Sequence, residues 1–440
     1  MPGVYLAYPF CAQKCTFCNF ASGVFPRELE ARYLGALRAE IRAHAWQWTP
    51  ETVYWGGGTP GNLDPGCLRE ILETVPGRPW LEATIESAPG GLTAEKARAW
   101  AACGINRVSL GVQSFVEKEI RRAGRKHTAQ TVVEELRLLQ SAGIRNCNID
   151  LIAGLSGQTV SSWRESLDWI ERLAPPHVSV YMLEVDEDSR LGREMLRGGA
   201  RYGAAETPSE EQVVEFYEMA VERLAALGTP RYEISNFARP GFESRHNLKY
   251  WTLDPYAGFG ADAHSFDGRV RRENPESVLE YTARMESSGE LTDESVCPTR
   301  GTDHRFLWSV GMGLRLAQLH EKPGLTGETA CPTWPELVGQ AVPPAFFDPV
   351  EAAPDRRRNP IVCPTALSNA DAARLTEERF FLGLRLSAGI RPAPGEWRRF
   401  ARPIRRFVDA GLLESQDGVI RLTSRGVLFS NEVFQEFIGL

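Results

Sequence analysis

Cys11, Cys15 and Cys18 fall in the stretch YPFCAQKCTFCNF, residues 8–20. Thiolates crowded in this way bind soft metals. A structural zinc site takes four protein ligands, and the nearest histidine, His44, lies across a predicted helix. An iron–sulfur cluster of the [4Fe–4S] type can instead sit on three cysteines and leave one iron open for a small chelating ligand. Packing as three core cysteines is the remaining reading, and the polar Gln13, Lys14 and Thr16 between them argue against it. Further downstream stand a Gly-rich run, GGGTP (56–60), and the polar residues Glu86, Gln113 and Asp150.

These residues need elements to carry them. From Val4 to about Glu184 a short β-rich run, a turn and a helix-like stretch recur. The runs are at 4–8, 53–55, 83–87, 107–110, 147–152 and 178–184. Between them Leu34, Leu37 and Ile41 follow helical spacing. Thr93 is a good N-cap, and Gly104 lies just beyond the last turn of its helix. Strands alternating with helices predict an α/β fold with a parallel sheet covered by helices. Six units predict a partial (β/α)6 TIM-like barrel, short of the eight of a closed one. Ligands of such sheets sit at the C-terminal ends of the strands. The first strand ends just before Cys11, GGGTP follows the second, Glu86 ends the third, Gln113 follows the fourth and Asp150 lies in the fifth. All of them thus fall near one rim.

The chain divides into four expected parts. Residues 1–185 form the barrel core. Residues 186–295 form an α+β extension with an amphipathic helix at 209–228 and the segments YEISNFARPG, HNLKYW and YAGFGADAHSF. Residues 296–370 are a Pro/Gly-rich insertion with three Cys-Pro-Thr repeats, expected to be disordered. Residues 371–440 suggest a small helical, winged-helix-like C-terminal domain with a β-ribbon in GVIRLTSRG. A formal net charge of −7 and the lack of a Lys/Arg cluster argue against nucleic acid as a partner of that domain. No apolar run approaches the ~20 residues of a membrane span, and the N-terminus lacks the pattern of a secretory signal. The expected location is cytoplasmic, where nine cysteines serve as thiols or metal ligands rather than disulfides.

C-x3-C-x-F-C after the first strand, followed by Gly56–Pro60, resembles the radical S-adenosylmethionine (SAM) superfamily. The resemblance implies a [4Fe–4S] cluster on Cys11, Cys15 and Cys18, with the fourth iron chelating the amino and carboxylate groups of SAM. GINRVSLGVQSF (104–115), GRKHT (124–128), NIDLIAGLSGQT (148–159), YEISNFARPG and HNLKYW resemble the oxygen-independent coproporphyrinogen III oxidase-like family. That likeness covers about residues 4–285 and resumes from about 372. It implies SAM contacts at Tyr5, Phe17, Gly57, Gly58, Thr59, Glu86, Gln113, Arg125 and Asp150, and it assigns no catalytic residue.

Two branches share this scaffold: the oxidase of porphyrin biosynthesis, which decarboxylates two propionates, and the HemW haem chaperones. Phe20 stands where the oxidase has a further cysteine, the segment before Cys11 is short for the oxidase's N-terminal arm, and HNLKYW is similar to the H-N-x-x-Y-W motif of HemW. The chaperone branch implies haem as a third cofactor, with His246 as a candidate axial ligand in a loop beside Tyr250 and Trp251, and His264 as a second. Its implied partners are haem-accepting proteins, respiratory ones among them. Membrane contact would come only through those partners, and a homodimer is a further expectation. Ala7 stands where the family has a histidine, GLSGQT replaces Gly-Leu-Pro, and Ser87 and Ala88 replace Ala-Asn.

Overall fold

The computed structural model describes residues 2–183, 185–287 and 369–438. Six strands run parallel and side by side in chain order: β1 (Gly3–Tyr8), β2 (Thr52–Gly57), β3 (Glu82–Ser87), β4 (Arg107–Gln113), β5 (Asn146–Ala153) and β6 (His177–Met182). Helices connect them, as parallel neighbours require. All six expected strands are present, with no end moved by more than three residues. Short strands extend the sheet on both sides. β7 (Asn236–Ala238) pairs antiparallel with β6, and β8 (Tyr256–Phe259) pairs parallel with β1. β9 (His264–Phe266) and β10 (Arg271–Glu273) follow β8. Among the described residues β7 and β10 are the two edges, so the barrel stays open.

The two faces of the parallel strands differ in chemistry. Successive side chains point to opposite faces. Val4, Leu6, Val53, Trp55, Ala83, Ile85, Val108, Leu110, Ile149, Leu151, Val178 and Val180 are fully buried in the main core. Their strand neighbours Tyr5, Tyr54, Glu86, Ser109, Asp150 and Tyr181 line an interior cavity instead. A parallel sheet sealed on both faces reads as continuous apolar runs; the alternation here marks an interior built to hold something polar. The outer layer is anchored by large side chains, Trp163 of the helix Val160–Leu173 among them, whose Nε1 donates to the carbonyl of Phe216 at 2.6 Å. Each such burial stabilises the fold by roughly 1.5–3 kcal/mol.

The helix Glu210–Ala226 starts at Ser209, whose side chain and Gln212 form a capping box, and it packs beside β5 and β6. In the C-terminal part the helices Asn369–Leu384, Pro394–Arg399 and Ala401–Asp409 precede a hairpin of β11 (Leu413–Gln416) and β12 (Val419–Leu422). Two helices at Ser424–Leu428 and Ser430–Gln435 close it. The expected ribbon is therefore displaced. Its turn is Asp417–Gly418, both with positive φ as a two-residue hairpin demands. The insertion 296–370 lies outside the described residues except where the helix Asn369–Leu384 begins. Among the described residues no helix is long and apolar enough to cross a membrane.

Candidate functional site

A cavity of about 490 Å³ opens at the C-terminal rim of the strands. That volume suits one compact organic ligand, for which pockets run about 300–1,000 Å³. The three cysteines line it. So do all nine residues that the family resemblance implies for SAM: Tyr5, Phe17, Gly57, Gly58, Thr59, Glu86, Gln113, Arg125 and Asp150.

The cysteine loop leaves β1 and is held mainly by backbone. Cys11 N donates to Gly23 O at 2.8 Å, and Thr16 N donates to Ala123 O at 3.2 Å. Thr59 Oγ1 lies 3.7 Å from Cys11 Sγ, and Arg125 Nε lies 3.2 Å from Cys15 Sγ. Burial pushes the Cys11 and Cys18 thiols up, so metal loading must displace their protons. Among the described residues no three His, Cys, Asp or Glu side chains converge on a point that could hold a single metal ion. A zinc site needs that convergence. Three thiolates on one loop are the donor set that a [4Fe–4S] cluster would take, so the residues present fit that group.

The glycine run approaches the loop from β2. Gly57 has φ +104°, which only glycine adopts readily. A side chain on Gly58 would meet the carbonyls of Phe10 and Tyr8 at 2.7 and 2.8 Å. Gly58 N donates to Tyr8 O at 2.7 Å, and Thr59 N donates to Phe10 O at 3.0 Å. The run is thereby pinned against the end of β1 and the start of the cysteine loop.

Carboxylates come from β3 and β5. Tyr54 OH donates to Glu86 Oε1 at 2.7 Å. Asp150 accepts from Asn148 Nδ2 at 2.7 Å and from Ser109 Oγ at 3.1 Å. Gln113 sits at a bulge with φ +71°, a conformation that costs about 1–3 kcal/mol for a non-glycine residue. Its Oε1 is buried and has no hydrogen-bond partner among the described residues. An orphaned acceptor at the wall of a cavity fits a ligand that brings a donor.

The Glu86 carboxyl has a pH consequence. Burial pushes it up to about 7, reinforced by the Asp150 carboxylate and opposed by Tyr54 and Arg107. In the unfolded chain it titrates near 4.5. The folded protein therefore binds the extra proton between these values, and its stability falls as pH rises through that window. Thermal midpoints of the ligand-free protein should decline from pH 5 to 7.5, and Glu86→Gln should flatten that slope. An unchanged slope in the variant would place the proton elsewhere.

His246 does not join this group. The HNLKYW segment is not a loop but part of the helix Arg245–Thr252. His246 is fully buried at the opposite, N-terminal end of the strands. Its Nδ1 lies 2.9 Å from Thr52 Oγ1 and its Nε2 lies 2.8 Å from Tyr250 OH. Its ring stacks on Tyr54 at 5.2 Å. Burial and the Lys249 charge hold its pKa down to about 3. With both nitrogens engaged, His246 is part of a helix that plugs the barrel floor, and haem ligation by it would have to displace Thr52 or Tyr250. Glu82 secures the helix, since its carboxylate accepts from Arg245 N at 2.9 Å and from His246 N at 3.0 Å. Helix N-termini favour such a negative charge. The plug presents Asn247 and Tyr250 to the cavity, and His264 lines the cavity beside Tyr256.

Several lining residues carry no expectation from sequence: Tyr54, Ser109, Tyr181, Asn247 and His127. For the strand residues the signal was available. Tyr54 lies directly across from Tyr5, and Ser109 directly across from Glu86; Tyr181 lies two positions beyond Ser179, the residue across from Asp150.

Residues 5–170 match the model of the Radical SAM superfamily, and residues 370–429 match that of the HemN C-terminal domain. The chain is 29% identical to the heme chaperone HemW of Bacillus subtilis over 100% of both chains. It is 33% identical to the heme chaperone HemW of Lactococcus lactis over 66% of this chain and 76% of that one. For the heme chaperone HemW of Escherichia coli the figures are 32%, 61% and 72%. The solved structure of the Escherichia coli coproporphyrinogen III oxidase HemN aligns over 100% of this chain and 90% of its own, with a TM-score of 0.72 and 20% identity, a likeness of fold. The chain belongs to the radical SAM superfamily and, within it, to the HemW family. Membership implies a [4Fe–4S] cluster and SAM.

Proposed function

We propose that the protein is a haem chaperone that carries a [4Fe–4S] cluster and SAM, binds haem and passes it to acceptor proteins. The observation that supports this most is the shared cavity of the three cysteines and the nine SAM candidates, with Phe20 where the oxidase branch has a further cysteine. The names of the Bacillus subtilis, Lactococcus lactis and Escherichia coli relatives agree with it. Cys11, Cys15 and Cys18 would hold the cluster, which supplies an electron and an open iron. Glu86 and Asp150 offer acceptors for ribose hydroxyls, Arg125 offers a partner for a carboxylate, and the Gly57–Thr59 backbone offers polar groups for an amine. Tyr5 and Phe17 supply apolar walls.

In this reading residues 1–185 are the cofactor core, 186–295 supply its floor, 296–370 are an insertion and 371–440 form the C-terminal unit. A cluster on cavity-lining thiols belongs in a reducing compartment, so the cytoplasm is the proposed location, with a homodimer as the proposed assembly. Haem ligation falls to a side chain other than His246, and His264 is the first candidate. Titration of the reconstituted protein with haem should reach one equivalent. Beside it, an assay with coproporphyrinogen III should give no protoporphyrinogen IX. His264→Ala should change the haem spectrum and His246→Ala should not. Decarboxylation of both propionates tied to SAM consumption would make this protein the oxidase instead.

A further inference from the structure

The barrel interior below the cavity holds a run of polar side chains whose hydrogen bonds can be oriented from both ends. The ends are Asp150 and Glu233. A carboxylate only accepts, so the Asn148 amide turns its nitrogen to Asp150 Oδ1 at 2.7 Å and its oxygen to His177 Nδ1 at 2.6 Å. His177 therefore carries its proton on Nδ1, and its Nε2 accepts from Tyr232 OH at 3.0 Å. From the other end, Asn236 Nδ2 donates to Glu233 Oε1 at 2.5 Å, which leaves the Asn236 oxygen to accept from Ser179 Oγ at 2.8 Å. Ser179 Oγ in turn accepts from Asn148 Nδ2 at 3.0 Å. Asn148 is thus the fork between the two carboxylates. Asn148, His177, Ser179, Asn236 and Glu233 are each at most 5% exposed, so each depends on these partners rather than on water. Beyond Glu233 lies Arg385 of the C-terminal part, and Ser387 N donates to Tyr232 O at 2.9 Å.

From this geometry we propose that ligand binding at Asp150 and the attachment of the C-terminal part are coupled through the Asn148 amide, with His177 as the positioning residue that sets its direction. The inference rests on the reading of the cavity as a SAM site. The amide has two arrangements. In the one described it donates toward both carboxylates. Turned over, it needs a proton on Asp150 and the other His177 tautomer, and it offers Ser179 an oxygen in place of an N–H. The Ser179 hydroxyl then turns to Asn148, and the Asn236 oxygen loses its donor. Burial pushes the Asp150 carboxyl up, opposed by its hydrogen bonds and by the Arg107 charge. A ligand that donates to Asp150 favours the carboxylate and so holds the first arrangement.

The test uses the full chain with its cluster reconstituted, SAM as the probe and amide hydrogen exchange over residues 380–390 as the readout. Exchange is compared with that of the helix Arg27–Ala43, which holds no member of the run. SAM should slow exchange over 380–390 about fivefold in the parent. His177→Leu removes the donor to Asn148 and should abolish this response while SAM still binds. His177→Asn, whose Nδ2 takes the Nδ1 position, should keep it. Asn236→Leu cuts the run at a second point and should behave as His177→Leu does. Exchange over 380–390 indifferent to SAM in a parent that binds it would overturn the proposal, and so would a full response in either leucine variant. A ligand-free arm separates the coupling from SAM. Asp150→Ala should by itself speed exchange over 380–390, and unchanged exchange there would overturn the coupling. A parent that binds its cluster but no SAM, with Asp150→Ala still loosening 380–390, would remove the cavity reading and support the coupling.

Discussion

Replacing Cys11, Cys15 and Cys18 together by alanine should abolish the cluster absorbance of the anaerobically reconstituted protein. Iron and sulfide should fall from about four each per chain to background. The loss should not come from unfolding. The loop is fixed by its backbone, through Cys11 N to Gly23 O at 2.8 Å, Gly23 N to Pro9 O at 2.9 Å and Leu191 N to Thr16 O at 2.8 Å. None of these bonds needs a thiol. The variant should therefore keep its circular dichroism and unfolding midpoint while losing the metal. Full cluster content in the triple variant would refute the assignment of these residues.

The second large effect concerns the attachment of the C-terminal part. Arg385 and Glu233 are both essentially fully buried, and their side chains approach to 3.4 Å. Glu233 also accepts from Ser235 N at 2.9 Å, and the Arg385 guanidinium lies 4.2 Å from the Trp251 ring centre on the plug helix. Arg385→Met leaves the Glu233 carboxylate buried without its cation, which should cost about 3–5 kcal/mol in urea unfolding. Glu233→Gln combined with Arg385→Met removes both charges and should recover most of that loss. A single variant within about 1 kcal/mol of the parent would show that the pair does not hold the C-terminal part in place.

Much of the barrel was legible because its signals are local. The β-rich runs, the Thr93 cap and Gly104 act within a few residues of themselves. The rim positions of the cysteines, GGGTP and Glu86 followed from strand ends alone. What was not legible depends on distant partners. HNLKYW has the look of a polar loop until Glu82, 164 residues earlier, caps its helix and Thr52, 194 residues earlier, takes the histidine. The Gly-rich stretch after it gives no sign that it supplies β8, because a parallel pairing with β1 leaves no local turn signature.

The pairing of β8 with β1 also sets an order of events during synthesis. β1, the strand that leads into the cysteine loop, is flanked by β2 on one side and by β8 on the other. β8 begins at Tyr256. Until that residue has left the ribosome, the apolar GVYLAY strand presents a bare edge, the kind that pairs with other chains. At about 5–20 residues per second this exposure lasts on the order of 10–50 s. The plug at Arg245–Thr252 directly precedes β8, so the floor of the barrel and the cover of β1 are completed together. The cluster loop is made first, yet it acquires its finished surroundings only after more than half of the chain has been translated. A nascent chain of this design needs either protection at β1 or cluster delivery timed after β8 is in place.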